Sequence, residues 1–288
     1  MRRILVTGAN KGIGLAITKA ILEEHADTFV YLASRDASRG REAAESLDRD
    51  HAGWKARIHV VALDVADERS VSEAAKDVAE HAGSERLYGI VNNAGINDGD
   101  LRAMLVTNVL GMQRVCDAFL PLVEPKAGRI VNVTSGSGPS FVATCTPERQ
   151  RFFLDASMTW HDLRAFIDEC IALAGDAAGL SAKGLGESGY GLSKALANTY
   201  TLLLAREHPS VRINACTPGF IETDMTRHYA KGQSPAEMGM KPPSEGAKAP
   251  MHLLFGELEG NGRYYGSDAK RSPLDAYRAP GSPPFAGP

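Results

Sequence analysis

The chain has little with which to hold nucleic acid, cross a membrane or cross-link itself. Its formal charge is only −3 over 288 residues, with acids and bases mixed along the sequence. That offers no basic field for a phosphate backbone or an anionic lipid surface. No apolar run approaches the ~20 residues of a spanning helix. At the start, Arg2 and Arg3 are followed only by Ile4-Leu5-Val6 before Thr7-Gly8, too short a stretch for a secretory signal. Cysteine is scarce. Cys116, Cys145, Cys170 and Cys216 make no C-x-x-C pair and read as reduced, buried thiols. His25, His161, His208 and His228 fall at no ligand spacing, so no metal is expected. No repeat of solenoid period is visible. These absences predict a cytoplasmic protein with no nucleic-acid and no membrane partner. The ordinary hydrophobic content of 43% is enough for one large α/β domain or two small ones.

What is present begins at once. Arg3 to Thr7 reads as a short buried strand. It runs into Gly8-Ala9-Asn10-Lys11-Gly12-Ile13-Gly14 and then into a helical pattern carried by Leu15, Ile17, Ile21 and Leu22. Strand, glycine turn and helix together place a pyrophosphate on a helix N-terminus, with no Cβ in the way of the backbone. A plain βα turn is the alternative for the glycines alone; their position between strand and helix favours a dinucleotide. After the second strand, Thr28 to Ala33, an acidic residue would grip the ribose 2′-hydroxyl of NAD. Ser34 and Arg35 stand there instead. A guanidinium suits a 2′-phosphate, and Lys11 offers a second cation, so NADP(H) is expected over NAD(H). Asp36 reads as the cap of the next helix.

The rhythm continues. A helix is predicted over Ala37–Asp50 and a third strand over Ile58–Leu63, ending at Asp64-Val65. The Asp64 carboxylate there serves either the adenine amino group or a helix cap. A helix over Arg69–His81 and a fourth strand over Leu87–Val91 lead into Asn92-Asn93-Ala94-Gly95. Small residues there let the backbone lie against a cofactor, and the Asn amides can tie strands. A long helix is predicted over Leu105–Val123. Asn108 inside it is unfavourable unless its amide is used. A fifth strand, Arg129–Thr134, closes on Ser135, which points into the crevice where such sheets bind ligands. Ser137 is the rival hydroxyl. The alternation calls for an α/β fold, a Rossmann-type doubly wound parallel sheet in three α/β/α layers.

Residues 139–189 break the pattern. Pro147–Phe153 reads as a short helix, and Trp160, Leu163, Ile167, Cys170 and Ile171 mark one apolar face of a second. A glycine-rich, flexible run follows. Then comes Tyr190-Gly191-Leu192-Ser193-Lys194, opening a long helix. Tyr190 and Lys194 share a face, and Ser188 caps the start. An ammonium and a helix dipole beside a phenol would lower its pKa from about 10. By itself such a pair is also an ordinary surface contact. A sixth strand over Val211–Cys216 turns out through Pro218-Gly219 to Thr223. Residues 225–242 read as a mobile lid, Pro243–Phe255 as a helix, and Arg263–Tyr265 as a last short strand. From Asp268 a Pro-rich tail, 268–288, is expected to be partly disordered.

The ordered set resembles the short-chain dehydrogenase/reductase family over residues 3–266, a single domain at 1–267. Gly8 to Gly14 matches its cofactor loop, Asn92 to Gly95 its fourth-strand motif, and Asp64-Val65 its adenine-side pair. Asn108, Ser135, Tyr190 and Lys194 match its catalytic tetrad; Pro218, Gly219, Ile221 and Thr223 match the turn that holds the nicotinamide carboxamide. The 55 positions from Ser135 to Tyr190 are unusually many for the family. They resemble the monomeric carbonyl reductases, in which a helical insertion covers the surface that others use to dimerise. The resemblance implies NADPH/NADP+ as cofactor and a small-molecule carbonyl substrate. It implies a monomer and hydride transfer to a carbonyl carbon. Tyr190 would be general acid and Ser135 would orient the oxygen. Lys194 would lower the Tyr190 pKa and bind the ribose, and Asn108 would hold a relay water. The chain departs from the carbonyl reductases between Asn92 and Asn108, only 16 positions, which implies a more open site. A pathway-specific alcohol or steroid dehydrogenase and a non-catalytic NADPH-binding regulator are the competing readings. The filled tetrad argues against the latter.

Overall fold

The computed structural model describes residues 1–230 and 232–287. Seven strands form one parallel sheet in the order β3-β2-β1-β4-β5-β6-β7. They are β1 (Arg2–Val6), β2 (Thr28–Ser34), β3 (Ile58–Ala62), β4 (Leu87–Asn92), β5 (Arg129–Val133), β6 (Arg212–Cys216) and β7 (Tyr264–Tyr265). The order reverses between β1 and β4, which opens a crevice at their carboxyl ends.

Strand alternation divides the core in two. Ile4, Val6, Val30, Leu32, Val91, Val131 and Val133 face one side. They pack against α1 (Gly12–Glu24), α2 (Ala37–Asp50) and the last long helix, Pro243–Phe255. Leu5, Tyr31, Ala33, Ile90 and Ile130 face the other. That side is covered by α3 (Glu68–Ala82), by the helical segments between β4 and β5, and by the helix of Tyr190. Both faces of a parallel sheet are thus buried, and a side-chain period of two sorts the residues between them.

Three expectations are corrected. The helix expected over 105–123 begins earlier and is broken. α4 spans Leu101–Leu105, a π-helical turn spans Val106–Leu110, and α5 spans Gly111–Phe119. Asp100 caps α4, its Oδ1 accepting from the Ala103 N–H at 2.7 Å. Second, the glycine-rich run is not loose. It holds a short helix and is pinned where Thr146 N–H donates to Gly184 O at 3.0 Å and Arg149 Nε to Lys183 O at 2.7 Å. Third, the tail packs on the domain. Arg278 forms an ion pair with Asp268, their side chains only 7% and 19% exposed. Arg278 also donates to Ser272 Oγ at 2.9 Å and to Ser282 O at 2.7 Å. Of the expected tail, Pro288 lies outside the described residues, as does Lys231 of the expected lid.

The insertion comprises α6 (Ser137–Thr144), α7 (Pro147–Phe153), α8 (Trp160–Ala172) and α9 (Ala177–Ala182). The expected apolar face of α8 is buried at Leu163, Ile167 and Cys170, with Phe166 beside them. The insertion packs against α10 (Gly189–Glu207). Thr199 Oγ1 donates to Phe153 O at 3.0 Å, and Trp160 meets Tyr200 edge-on at 5.6 Å. Fourteen of the 19 residues of α10 are buried, so it is a core helix rather than an amphipathic surface one. The remaining helix, α11 (Pro243–Phe255), lies beside α1. No described helix is long and apolar enough to cross a membrane.

Candidate active site

The glycine loop adopts the conformations that its glycines permit. Gly8 and Gly12 have φ of +61° and +56°, a region costly for residues with a Cβ. At Gly14 a Cβ would stand 2.4 Å from Gly8 O, so only glycine lets α1 start against the loop. α1 has no acidic residue in its first turn and no side-chain cap at Lys11. Its first N–H groups and dipole are therefore available to an anion. The loop is tied to β4: Asn93 Nδ2 donates to Thr7 O at 2.9 Å, and the N–H groups of Asn93 and Ala94 donate to Thr7 Oγ1 at 2.9 and 3.0 Å. Asn10 and Ile13 are half-buried beside it.

The 217–226 turn closes on the same loop. A Cβ at Gly12 would meet the Thr223 methyl at 3.4 Å, and Lys11 Nζ lies 2.7 Å from Asp224 Oδ2. Gly219 takes φ +93°, while Pro218 and Ile221 are buried beneath it. Lys11 is thus engaged across the cleft. Arg35 is exposed and makes no ion pair among the described residues. Asp36 caps α2 as expected, accepting from Ser38 and Arg39 N–H at 2.8 and 3.2 Å. Asp64 is half-buried and accepts from Ala66 N–H at 2.9 Å; α3 is capped by Asp67, so Asp64 is not its cap. Val65 is buried against Gly111. Asn92 turns inward, its Nδ2 donating to Asn132 Oδ1 at 2.9 Å, so its side chain ties β4 to β5. Between the glycine loop and the 217–226 turn the helix end stays open to an anion, which fits the pyrophosphate of a dinucleotide.

The four tetrad positions converge at the carboxyl ends of β4 and β5. Asn108 sits in the π-helical turn, a feature common at functional sites. Its Oδ1 accepts from Ile96 N–H at 2.8 Å. Its Nδ2 donates to Ile96 O at 2.8 Å and to Ser193 Oγ at 3.0 Å. The amide is fully used, which explains a buried Asn in a helix. A Cβ at Gly95 would stand 3.1 Å from Asn108 Oδ1 and 3.3 Å from Lys194 Nζ. Gly95 therefore brings the β4 loop close over both. Lys194 is 4% exposed and its ammonium reaches Val133 O at 3.4 Å. Ser188 caps α10, its Oγ accepting from Gly191 N–H at 2.9 Å.

The electrostatics differ from expectation. Burial pushes the Tyr190 phenol up to about 12, with Ser135 hydrogen-bonding to it and opposing the rise. Lys194 does not reverse this. Its Nζ lies 5.6 Å from the Tyr190 ring centroid, and burial brings the ammonium itself down to about 8. Ser135 Oγ also accepts from Ser137 N–H at 3.1 Å and pairs with Ser137 Oγ at 3.2 Å, so both candidate hydroxyls share one corner. A cavity of about 870 Å³ runs outward from that corner. Its lining includes Thr217, Phe220 and the tail residue Tyr277. None of the three was foreseen as a site residue. Tyr277 lies far from every motif, and only packing brings it there. Among the described residues no group of three His, Cys, Asp or Glu is placed to hold a metal ion.

Residues 2–146 match the family model for the short chain dehydrogenase. The chain belongs to the short-chain dehydrogenase family. It is 32% identical to carbonyl reductase (NADPH) 1 of Rattus norvegicus, over 87% of this chain and 90% of that protein. It is 33% identical to the Mus musculus enzyme of the same name, over 93% and 97%. Among solved structures it resembles menthone neomenthol reductase from Mentha piperita, with a TM-score of 0.75 and 27% identity over 92% and 98% of the two chains. The fold of this short-chain dehydrogenase family member therefore extends across the insertion as well as the cofactor half.

Proposed function

We infer that the protein is an NADPH-dependent oxidoreductase that reduces carbonyl compounds, such as ketones, aldehydes or quinones, to alcohols. The convergence of Asn108, Ser135, Tyr190 and Lys194 beside the glycine loop carries this reading. The relatives named carbonyl reductase (NADPH) support it across most of the chain.

Gly8, Asn10, Lys11, Gly12, Ile13 and Gly14 would hold the pyrophosphate side of NADP(H). Arg35, with Lys11, would hold the 2′-phosphate. Asp64 and Val65 would flank the adenine. Asn92, Ala94, Gly95, Pro218, Gly219, Ile221 and Thr223 would shape the nicotinamide end, together with Tyr190 and Lys194. When bound, the reduced nicotinamide supplies the hydride that reaches the carbonyl carbon. Ser135 Oγ hydrogen-bonds the carbonyl oxygen and orients it. As charge grows on that oxygen, Tyr190 gives its phenolic proton. A phenol held near 12 is protonated throughout the neutral range, as a general acid must be. Lys194 and Asn108 stand behind it. An ammonium at about 8 exchanges protons readily near neutrality and can restore the phenol.

The insertion supports a monomer, since α7 and α8 cover the outer side of α10. Four free, buried cysteines suit a reducing compartment, the cytoplasm. The test of the activity is NADPH consumption over a panel of quinones, α-dicarbonyls, aldehydes and ketosteroids, with Tyr190→Phe as control. The variant is expected to lose about 10²–10⁴-fold in turnover while NADPH binding, followed by fluorescence, survives. Near wild-type turnover in the variant would remove the mechanism.

A further inference from the structure

Large hydrophobic side chains that remain exposed are few here, and they cluster. Among the described residues they are Met1, Phe220, Tyr229 and Tyr277, at 67%, 42%, 42% and 58% exposure. Two of these four, Phe220 and Tyr277, line the cavity beside Ser135, and Tyr229 lies next to Phe220. Phe220 and Tyr229 face one another at 6.5 Å, and the Tyr229 hydroxyl is held by Asn97 Nδ2 at 3.1 Å. Tyr277 comes from the C-terminal segment. Its ring edge lies over Gly136, 3.0 Å from where a Cβ would be, one residue from Ser135. Scattered surface aromatics need no explanation, but a rim of them around one cleft marks a binding surface.

Tyr277 is also held there deliberately. Asp268 takes the Arg278 guanidinium and accepts from Gly281 N–H at 3.0 Å, while Arg278 reaches Ser272 Oγ and Ser282 O. Phe285 N–H donates to Arg271 O at 2.9 Å. The segment is tied down on both sides of Tyr277, and the cavity that starts at Ser135 has Tyr277 and Pro280 in its wall.

We propose that the C-terminal segment forms one wall of the substrate cleft and that Tyr277 is a specificity-determining residue, favouring carbonyl compounds whose carbonyl carries a flat aromatic group. Asp268 and Arg278 are positioning residues for that wall. This rests on the reductase reading of the site. An aryl group beside Ser135 would lie against the Tyr277 ring, with Phe220 and Tyr229 at the rim. A small aliphatic carbonyl would reach Ser135 without touching that ring.

The test compares acetophenone with 2-butanone on the wild type, Tyr277→Ala and Tyr277→Phe. KM and kcat are read from NADPH consumption. Binding to the NADP+-loaded protein is read by ligand-observed NMR, which needs no turnover. Tyr277→Ala is expected to raise KM and Kd for acetophenone about three- to tenfold. For 2-butanone both should stay the same, as should kcat, NADPH affinity and melting temperature. Tyr277→Phe should restore the wild-type values. Equal shifts for both ketones, no shift for either, or a wild type that does not bind acetophenone would overturn the proposal. Selective binding without turnover on any carbonyl would uphold the wall and bring down the reductase reading instead.

Discussion

Lys194 shows what a residue name alone leaves open. It was found by its spacing from Tyr190, since i and i+4 share a helical face. The sequence suggested that its charge would lower the phenol's pKa. The structure buries Lys194 and half-buries Tyr190, and desolvation dominates at both: Tyr190 rises to about 12 and Lys194 falls to about 8. Burial is the property that sequence does not display, because it depends on what the rest of the chain lays over the site. A consequence can be measured. The unfolded chain titrates Lys194 near its ordinary 10.5, the folded protein at about 8. Between those values the unfolded state holds the extra proton, so this group makes stability rise with pH. Tyr190 begins to oppose it only above pH 10. Lys194→Met should therefore be stabilised relative to wild type at pH 7, and lose that advantage by pH 10. The change is on the order of 2–3 kcal/mol, read by urea denaturation at each pH. A pH-independent difference would show that burial does not perturb Lys194.

At the scale of elements, the helix starts were the most legible features. Asp36 and Ser188 were identified as caps and are caps, because a cap is a local bond between neighbours in sequence. Pro147–Phe153 and Pro243–Phe255 match their expected bounds with no side-chain cap, because a proline at the first helical position is also a local signal. The break around Asn108 was not legible. A π-helical turn inserts one residue into a ladder for tertiary reasons, here the bonds from Asn108 to Ile96 and Ser193. The true start of α4 carries its own local signal, Asp100 ahead of an apolar run, which the expected start at Leu105 missed. Ser188 carries a prediction at this scale. Ser188→Ala removes the acceptor for Gly191 N–H and should cost about 1 kcal/mol of stability in a denaturant titration. No loss would mean that α10 is held by its buried length alone.

The whole molecule depends on two segments outside the cofactor half. The insertion lays α7 and α8 over α10, on which the proposed monomer rests. Light scattering at micromolar concentration should give the mass of one chain, 30.8 kDa; a dimer would sink that reading. The C-terminal segment is the second. For Asp268 burial works against the charge, yet the Gly281 N–H and the Arg278 guanidinium hold its carboxyl below the usual carboxylate range. Its contribution is thus complete above the ordinary Asp value and is lost as pH falls through the lower folded value. Asp268→Asn leaves Arg278 buried without its counter-charge and should cost about 3 kcal/mol. Hydrogen exchange across residues 268–285 should quicken at the same time. Unchanged exchange there would show that the segment is held by its other contacts.

Proline content suggested a loose tail, because composition reports what a segment can do alone. Arg278 and Asp268, ten positions apart, meet only once the domain is folded beneath them. Strand alternation, glycine turns and caps were readable directly, since each is settled by residues within a few positions of one another. The doubly wound parallel sheet followed from them, whereas the strand order that sets the switch point between β1 and β4 came from the structure. Tertiary packing alone settled how deeply Tyr190 and Lys194 are buried, where the helix breaks at Asn108, and that Tyr277 lies beside Ser135. Each of these depends on contacts between distant residues. Desolvation and long-range hydrogen bonds belong to the assembled core, not to any stretch of chain within it.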